Sequence, residues 1–368
     1  MRRSAVIVVI VLAAIGTAVA ATGALHRAAS NLLGTKLGFY DAVFVMGRDG
    51  AGLRQLTHDQ RFHEYAWSPD GRWIAAVTRS VDAHGIDVQG PLELVELSVT
   101  TVQDVWLGGF GSDVVWRSNG SVKLLVTRTV SDLDTRLLDI SPSRGVRRGA
   151  SIGPIGAAAW TPHGGALAIV PCARARAPLS IDVLSASGRK RRHLGQLPGA
   201  LGAGVCDDLL AAADEDLEWA PDGRSLFVNV STGLWRLSLE GAAPRRVNGD
   251  VPPLSAPAVS PDGRQILAEA SPSGARAGNP CCLLYVLPAA GGHARLLTPN
   301  AARQPAWSPD GRLIAFVGGG GDTINTIRRD GSATTTLAQF PGTQISSLSW
   351  SPTGQQLAFT ASAKPPED

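Results

Sequence analysis

A chain of 368 residues that is 44% hydrophobic and 18% charged has enough apolar surface for several well-filled cores. Its net charge of +3 is too small to indicate a nucleic-acid partner, and no RNP, zinc-finger or helix-turn-helix pattern supports one. Its four cysteines show neither a CxxC nor a Cys/His pair at ligand spacing, so neither a metal nor a cofactor is expected.

Arg2-Arg3 precede an apolar run from Ala5 to Ala21, and Ala18-Val19-Ala20 offer the small residues that a signal peptidase inspects. The run continues through Gly23-Ala24-Leu25 and approaches the ~20 residues that span a bilayer. Residues 1–25 therefore read as a signal peptide or a single-pass membrane anchor, followed by a linker over 26–40. Either way the remaining chain is expected outside the cytoplasm: periplasmic, at the cell surface or secreted. No cysteine follows the run, which excludes a lipoprotein anchor.

Ala42–Met46 lead through Arg48-Asp49-Gly50-Ala51-Gly52 into Leu53–Thr57, a pair of strands about a turn. A new pattern then begins with Trp67-Ser68-Pro69-Asp70-Gly71-Arg72 and the apolar run Trp73–Val77. It returns at Trp116, Trp160, Trp219, Val259, Trp307 and Trp350, at spacings of 49, 44, 59, 40, 48 and 43 residues. Ser-Pro-Asp-Gly is type I turn chemistry: a side-chain acceptor, a Pro with preset φ, an Asp, and a Gly that accepts positive φ. The run after each turn is apolar at nearly every position, as in a strand covered on both faces. Two weaker strands follow in each unit, such as Ile181–Leu184 and Arg191–Leu194, or Leu283–Leu287 and Ala294–Leu297.

Four strands repeated with a period of 40 to 50 residues predict an all-β, seven-bladed β-propeller over residues 41–361, with 362–368 as a tail. The seventh copy stops after two strands, which would leave an apolar edge open. Residues 42–57 supply the two missing strands, so the last blade is expected to join 42–57 with 347–361. Trp67, Trp116, Trp160, Trp219, Trp307 and Trp350 are assigned as core anchors. Asp70, Asp222, Asp262 and Asp310 are assigned to their own turns rather than to a site. Departures from the repeat at Ser118-Asn119, His163, Val259 and Thr353 read as drift.

Cys172 follows the second strand of its blade, and Cys206 lies in the connection to the next blade; both loops leave the ring on one face, so a Cys172–Cys206 disulfide is expected. Cys281-Cys282 are free thiols or a vicinal disulfide. Gly149-Ala150-Ser151-Ile152-Gly153 matches G-x-S-x-G in letters, but Arg147-Arg148 before it and Pro154 after it suit a connection between blades rather than a nucleophile elbow. No catalytic residue is nominated. The turns between third and fourth strands carry Arg189-Lys190-Arg191-Arg192, Arg245-Arg246 and Arg328-Arg329, so the face with the Ser-Pro-Asp-Gly turns is expected to be basic. The longest connection, Gly195–Asp216, carries Asp207, Asp208, Asp214, Glu215 and Asp216 and opens on the opposite face. A connection of that length points to function, and these five residues are the expected binding site.

The block W-S-P-D-G-R-x-I-A-F followed by D-G…L-T resembles the WD40-like β-propeller repeat of the TolB family, the periplasmic component of the Tol–Pal envelope system. The resemblance covers residues 40–361 and implies the propeller alone, because TolB carries an additional α/β domain ahead of its propeller that the first 40 residues here do not accommodate. The Tol–Pal role is therefore not carried over. The expected function is a monomeric, non-catalytic binding scaffold of the cell envelope holding a protein, peptide or glycan partner, touching the membrane only through an uncleaved N-terminal segment. The alternative is a propeller enzyme, a lyase or hydrolase, or an accessory chain to a separate peptidase.

Overall fold

The computed structural model describes residues 42–363 except 58–60, 82–86, 99–100, 106–109, 128–133, 142–144, 173–178, 199–216, 248–253, 271–281 and 299. The expected export or anchor segment therefore lies outside the described residues. Within them the chain is all-β and forms seven four-stranded antiparallel sheets. Blade 1 spans 61–105, blade 2 110–153, blade 3 155–197, blade 4 217–246, blade 5 254–296 and blade 6 303–339. Each is a meander in chain order, so its first strand lies innermost and its fourth outermost.

Blade 7 is built from both ends of the chain. Its inner hairpin is Thr343–Trp350 and Gln356–Ala363, and Ala42–Gly47 adds antiparallel to the latter, from Ala42 opposite Ala361 to Gly47 opposite Gln356. Arg54–Gln55 forms the outer edge. Ala42–Met46 are almost fully buried, as a strand interior to a sheet and covered on both faces must be.

Seven apolar clusters fill the seven seams between neighbouring blades. The seam between blades 6 and 7 is the most aromatic, with Phe44 stacked on Phe359 at 5.5 Å and Phe340 against the same ring at 5.4 Å. Because each blade buries one face against each neighbour, no blade holds a core of its own.

The repeat turn folds as its residues dictate. In blade 1 the Gly71 amide donates to the Ser68 carbonyl at 2.8 Å, and Gly71 takes φ +69°, which costs glycine nothing. Ser68 Oγ donates to Asp70 Oδ1 at 2.6 Å and accepts from the Trp73 amide at 2.9 Å. Asp70 Oδ1 also accepts from the Arg72 amide at 3.0 Å. Blades 5 and 6 repeat the same bonds with Ser260–Asp262 and Ser308–Asp310. In blade 3, where His163 stands for Asp, Thr161 Oγ1 accepts from the amides of Gly165 and Ala166 and keeps the turn.

Candidate functional site

The indoles of the repeat tie the inner strands into a girdle around the channel. Trp116 Nε1 donates to the Ala66 carbonyl of the preceding blade at 3.0 Å, and Trp219, Trp307 and Trp350 do the same to Ala159, Ala258 and Ala306 at 2.9, 3.0 and 3.2 Å. Trp160 donates to the Asp113 carbonyl at 2.7 Å, and Trp67 ties blade 1 to blade 7 through Ser349 Oγ at 3.0 Å. These tryptophans are therefore inter-blade ties as well as core anchors.

Most inner strands also carry a bulge just before the tryptophan position. At the residue three before it, Asp113, Gln304 and Ser347 adopt φ of 52°, 53° and 50°, a conformation unfavourable for residues with a Cβ. Side chains of the preceding blade grip these bulges: Glu269 Oε1 accepts from the Gln304 amide at 2.6 Å, Gln304 Oε1 from Ser347 at 3.2 Å, and Glu64 Oε1 from Val114 at 3.0 Å. Tyr65 Oη donates to the Ser347 carbonyl, and burial pushes its ionisation well above the usual range.

The seam between blades 4 and 5 departs from the pattern twice. Val259 stands where the other blades have Trp, and Glu218 stands before Trp219 where Ala66, Ala159, Ala258 and Ala306 occupy the matching places. Its strand neighbours Leu217 and Trp219 pack toward blade 3, so by alternation Glu218 faces blade 5. There its carboxyl accepts from the Val259 main chain, and burial raises its pKa to about 8. A small residue and a large indole have been exchanged for a long acid and a valine.

The turn face carries an open cleft of about 1120 Å³ across blades 5, 6 and 7. Its lining includes five guanidinium groups, Arg48, Arg295, Arg312, Arg328 and Arg329, against two carboxylates, Asp310 and Asp330. Arg329 is held in place: it donates to Asp262 Oδ2 at 2.7 Å and to Gln265 Oε1 at 2.7 Å, and lies 5.6 Å from the Trp307 ring. Arg295 donates to the Asp330 carbonyl at 3.2 Å. Arg48, Arg312 and Arg328 are exposed and form no side-chain hydrogen bond or ion pair among the described residues. The turn carboxylates stay ionised well into acid: Arg329 and Ser260 hold Asp262 far below the carboxylate range, Ser308 and the Arg312 amide lower Asp310, and Ser332 lowers Asp330.

One grouping has the letters of a hydrolytic triad. On blade 3, His193 Nδ1 lies 3.4 Å from Ser180 Oγ and 3.0 Å from Asp182 Oδ1. Both contacts fall on the same ring nitrogen, whereas a relay needs the acid on one nitrogen and the nucleophile on the other. Asp182 is moreover shared with Arg191 at 2.7 Å. Gly149–Gly153 lies in the outer strand of blade 2, Gly145–Gly153, rather than in a connection between blades as its flanking residues suggested. There Ser151 Oγ donates to Asp134, and an inner strand follows in place of the helix that an elbow requires.

The expected acidic site, Asp207, Asp208, Asp214, Glu215 and Asp216, lies outside the described residues, as do Cys206 and Cys281. Cys172 is disulfide-bonded and Cys282 is not in a disulfide; no two described cysteines are bonded to each other. Among the described residues no group of three His, Cys, Asp or Glu side chains is placed to hold a metal ion.

No protein-family profile matches the chain. The uncharacterized protein Atu1656 of Agrobacterium fabrum (strain C58) is 31% identical over 144 residues, which make up 38% of this chain and 43% of that protein. The chain thus matches less than half the length of this relative. Solved structures that share the fold include the three that follow. The putative TolB of Agrobacterium tumefaciens aligns with a TM-score of 0.51 at 16% identity, over 89% of this chain and 99% of that one. Hydrazine synthase of Kuenenia stuttgartiensis aligns at 0.55 and 14% identity, over 82% and 95%. An oligogalacturonate lyase in complex with manganese aligns at 0.52 and 13% identity, over 85% and 80%. At these identities the likeness is one of fold: the chain is a TolB-like seven-bladed propeller.

Proposed function

We propose that this protein is a non-catalytic, extracytoplasmic binding propeller that holds an anionic partner on the face bearing the Ser-Pro-Asp-Gly turns. The observation that carries this reading is the cleft across blades 5, 6 and 7, where five guanidinium groups converge and three of them form no side-chain hydrogen bond or ion pair among the described residues. Exposed arginines whose forks make no hydrogen bond or ion pair within the described protein are available to a ligand, and their planar geometry suits oxyanions. The location rests on Arg2-Arg3 and the apolar run behind them, and a disulfide at Cys172 suits an oxidising space.

The test is capture from envelope extracts with the purified propeller. The wild type should retain a partner that Arg312→Gln/Arg328→Gln loses, with the fold unchanged by circular dichroism. If instead the double variant captures normally and neutralising Asp207, Asp208, Asp214, Glu215 and Asp216 abolishes capture, the site is on the opposite face and this reading fails. A Cys172–Cys206 bond belongs to the same proposal: non-reducing peptide mapping should recover that crosslink, and a different partner for Cys172 would remove it.

A further inference from the structure

We infer that the ligand of the arginine cleft is an acidic peptide segment of a partner protein, lying extended across blades 5 to 7 and contributing at least two carboxylates; this rests on the binding reading above. The cleft is open and its charged groups come from three successive blades: Arg295 from blade 5, Arg312, Arg328 and Arg329 from blade 6, and Arg48 from the turn after Ala42–Gly47 in blade 7. A single small oxyanion would use one or two of these groups, whereas a linear ligand meets them in succession. With Asp310 and Asp330 in the lining and Asp262 paired to Arg329, two of the five positive charges remain uncompensated.

The arginines also differ in how they are prepared. Arg329 is fixed by Asp262, Gln265 and the Trp307 ring, and Arg295 by the Asp330 carbonyl. Holding a guanidinium in advance lowers the entropy lost when a ligand binds. The unbound Arg48, Arg312 and Arg328 can then adapt to where the ligand's charges fall. Three classes of polyanion meet that charge, and the lining separates them. Among the described residues no aromatic ring lines the cleft, so they offer none of the flat faces on which nucleic-acid bases stack and on which sugar rings would rest. It does include the half-buried Leu313, a small apolar contact suited to an aliphatic side chain between acidic ones.

The experiment is fluorescence anisotropy of the purified propeller with three probes: a labelled octapeptide with Glu at alternate positions, labelled oligogalacturonate, and labelled polyphosphate. An octapeptide with Gln replacing Glu serves as the control. The acidic octapeptide should bind and the Gln analogue should not. Arg312→Gln/Arg328→Gln should weaken the acidic octapeptide about tenfold or more, and Arg117→Gln, on the turn face of blade 2, should not. Added salt should weaken binding less steeply in the double variant. If oligogalacturonate or polyphosphate binds at the same arginines and the acidic octapeptide does not, the peptide inference is overturned while the anion-binding reading stands. If the octapeptide binds equally to wild type and double variant, the cleft is not its site. If no probe binds and capture from extracts is indifferent to the double variant, both readings fall.

Discussion

Replacing Glu218 with Gln should flatten the dependence of stability on pH between about 4.5 and 8. The carboxyl has an ordinary pKa of 4.5 and a folded value of about 8, because burial at the seam between blades 4 and 5 outweighs the stabilising bond from the Val259 main chain. Since the folded pKa is the higher one, the native state binds more protons than the unfolded state throughout this interval. Stability is therefore full below 4.5 and falls as the pH rises toward 8. At about 1.4 kcal/mol per pH unit the interval corresponds to about 5 kcal/mol. Glu218 is only half-buried by accessible surface, and residual contact with water makes this figure a ceiling. Urea unfolding followed by tryptophan fluorescence at pH 5 and pH 8.5 measures the change for each protein. Glu93, raised to about 7 by burial and by Asp104, contributes its own slope to both, so the wild type minus Glu218→Gln difference isolates Glu218. The amide fills the same space with no charge to bury, and the wild type should lose more stability across the interval. Identical changes in the two proteins would refute the placement of Glu218 in the seam.

Trp307→Ala removes a buried ring, its bond to Ala258 and the stack beneath Arg329, and should cost about 3–5 kcal/mol; His163→Asp, in an exposed turn, should cost little. Equal losses in chemical denaturation would contradict the division between core and turn. Deleting residues 42–57 with residues 1–41 retained should leave blade 7 with two strands and an open apolar edge. Size-exclusion chromatography should then show aggregation, and a monomer with unchanged melting temperature would contradict the pairing of Ala42–Gly47 with the last strand. Asp262→Asn removes a partly exposed ion pair and should cost about 1 kcal/mol or less at neutral pH. Because the folded pKa of Asp262 is depressed, this contribution is present above about pH 4 and is lost as the pH falls further; an acid titration in which wild type and variant stay equally separated at pH 2 and pH 7 would argue against the bond to Arg329.

The fold was legible because its determinants are local and repeated. A Trp, a four-residue turn and an apolar strand recur seven times with one substitution at the tryptophan, and an unfinished last copy faces an unmatched pair of strands at the other end. The girdle was not legible. Asp113, Gln304 and Ser347 share no residue type, and nothing in an Asp, a Gln or a Ser announces a positive φ; the bulge belongs to the curvature of the ring. The exchange at Glu218 and Val259 was half visible. Val259 stands out in the repeat, but its meaning depends on noticing that the acid before Trp219 replaces an alanine found in four other copies. The basic turn at Arg328-Arg329 could be read directly. Its convergence with Arg48, Arg295 and Arg312 could not, because those residues are separated by most of the chain and meet only when blade 7 is closed.

That closure has a consequence for how the molecule comes into being. Ala42–Gly47 is among the first segments to emerge from any machinery that feeds the chain N-terminus first, yet its partner, Gln356–Ala363, is among the last. Pairings this distant in sequence form slowly, and here the delay is set by delivery of the chain as well as by diffusion. Until it ends, Val43, Phe44, Val45 and Met46 lack their strand partner, and Phe44 and Met46 also lack the blade 6 seam that they fill. The interval between emergence and ring closure is therefore when the protein is most exposed to proteases and to edge-to-edge pairing with its own copies. Conditions that slow delivery of the chain should lower the yield of folded propeller more steeply than conditions that lower its equilibrium stability.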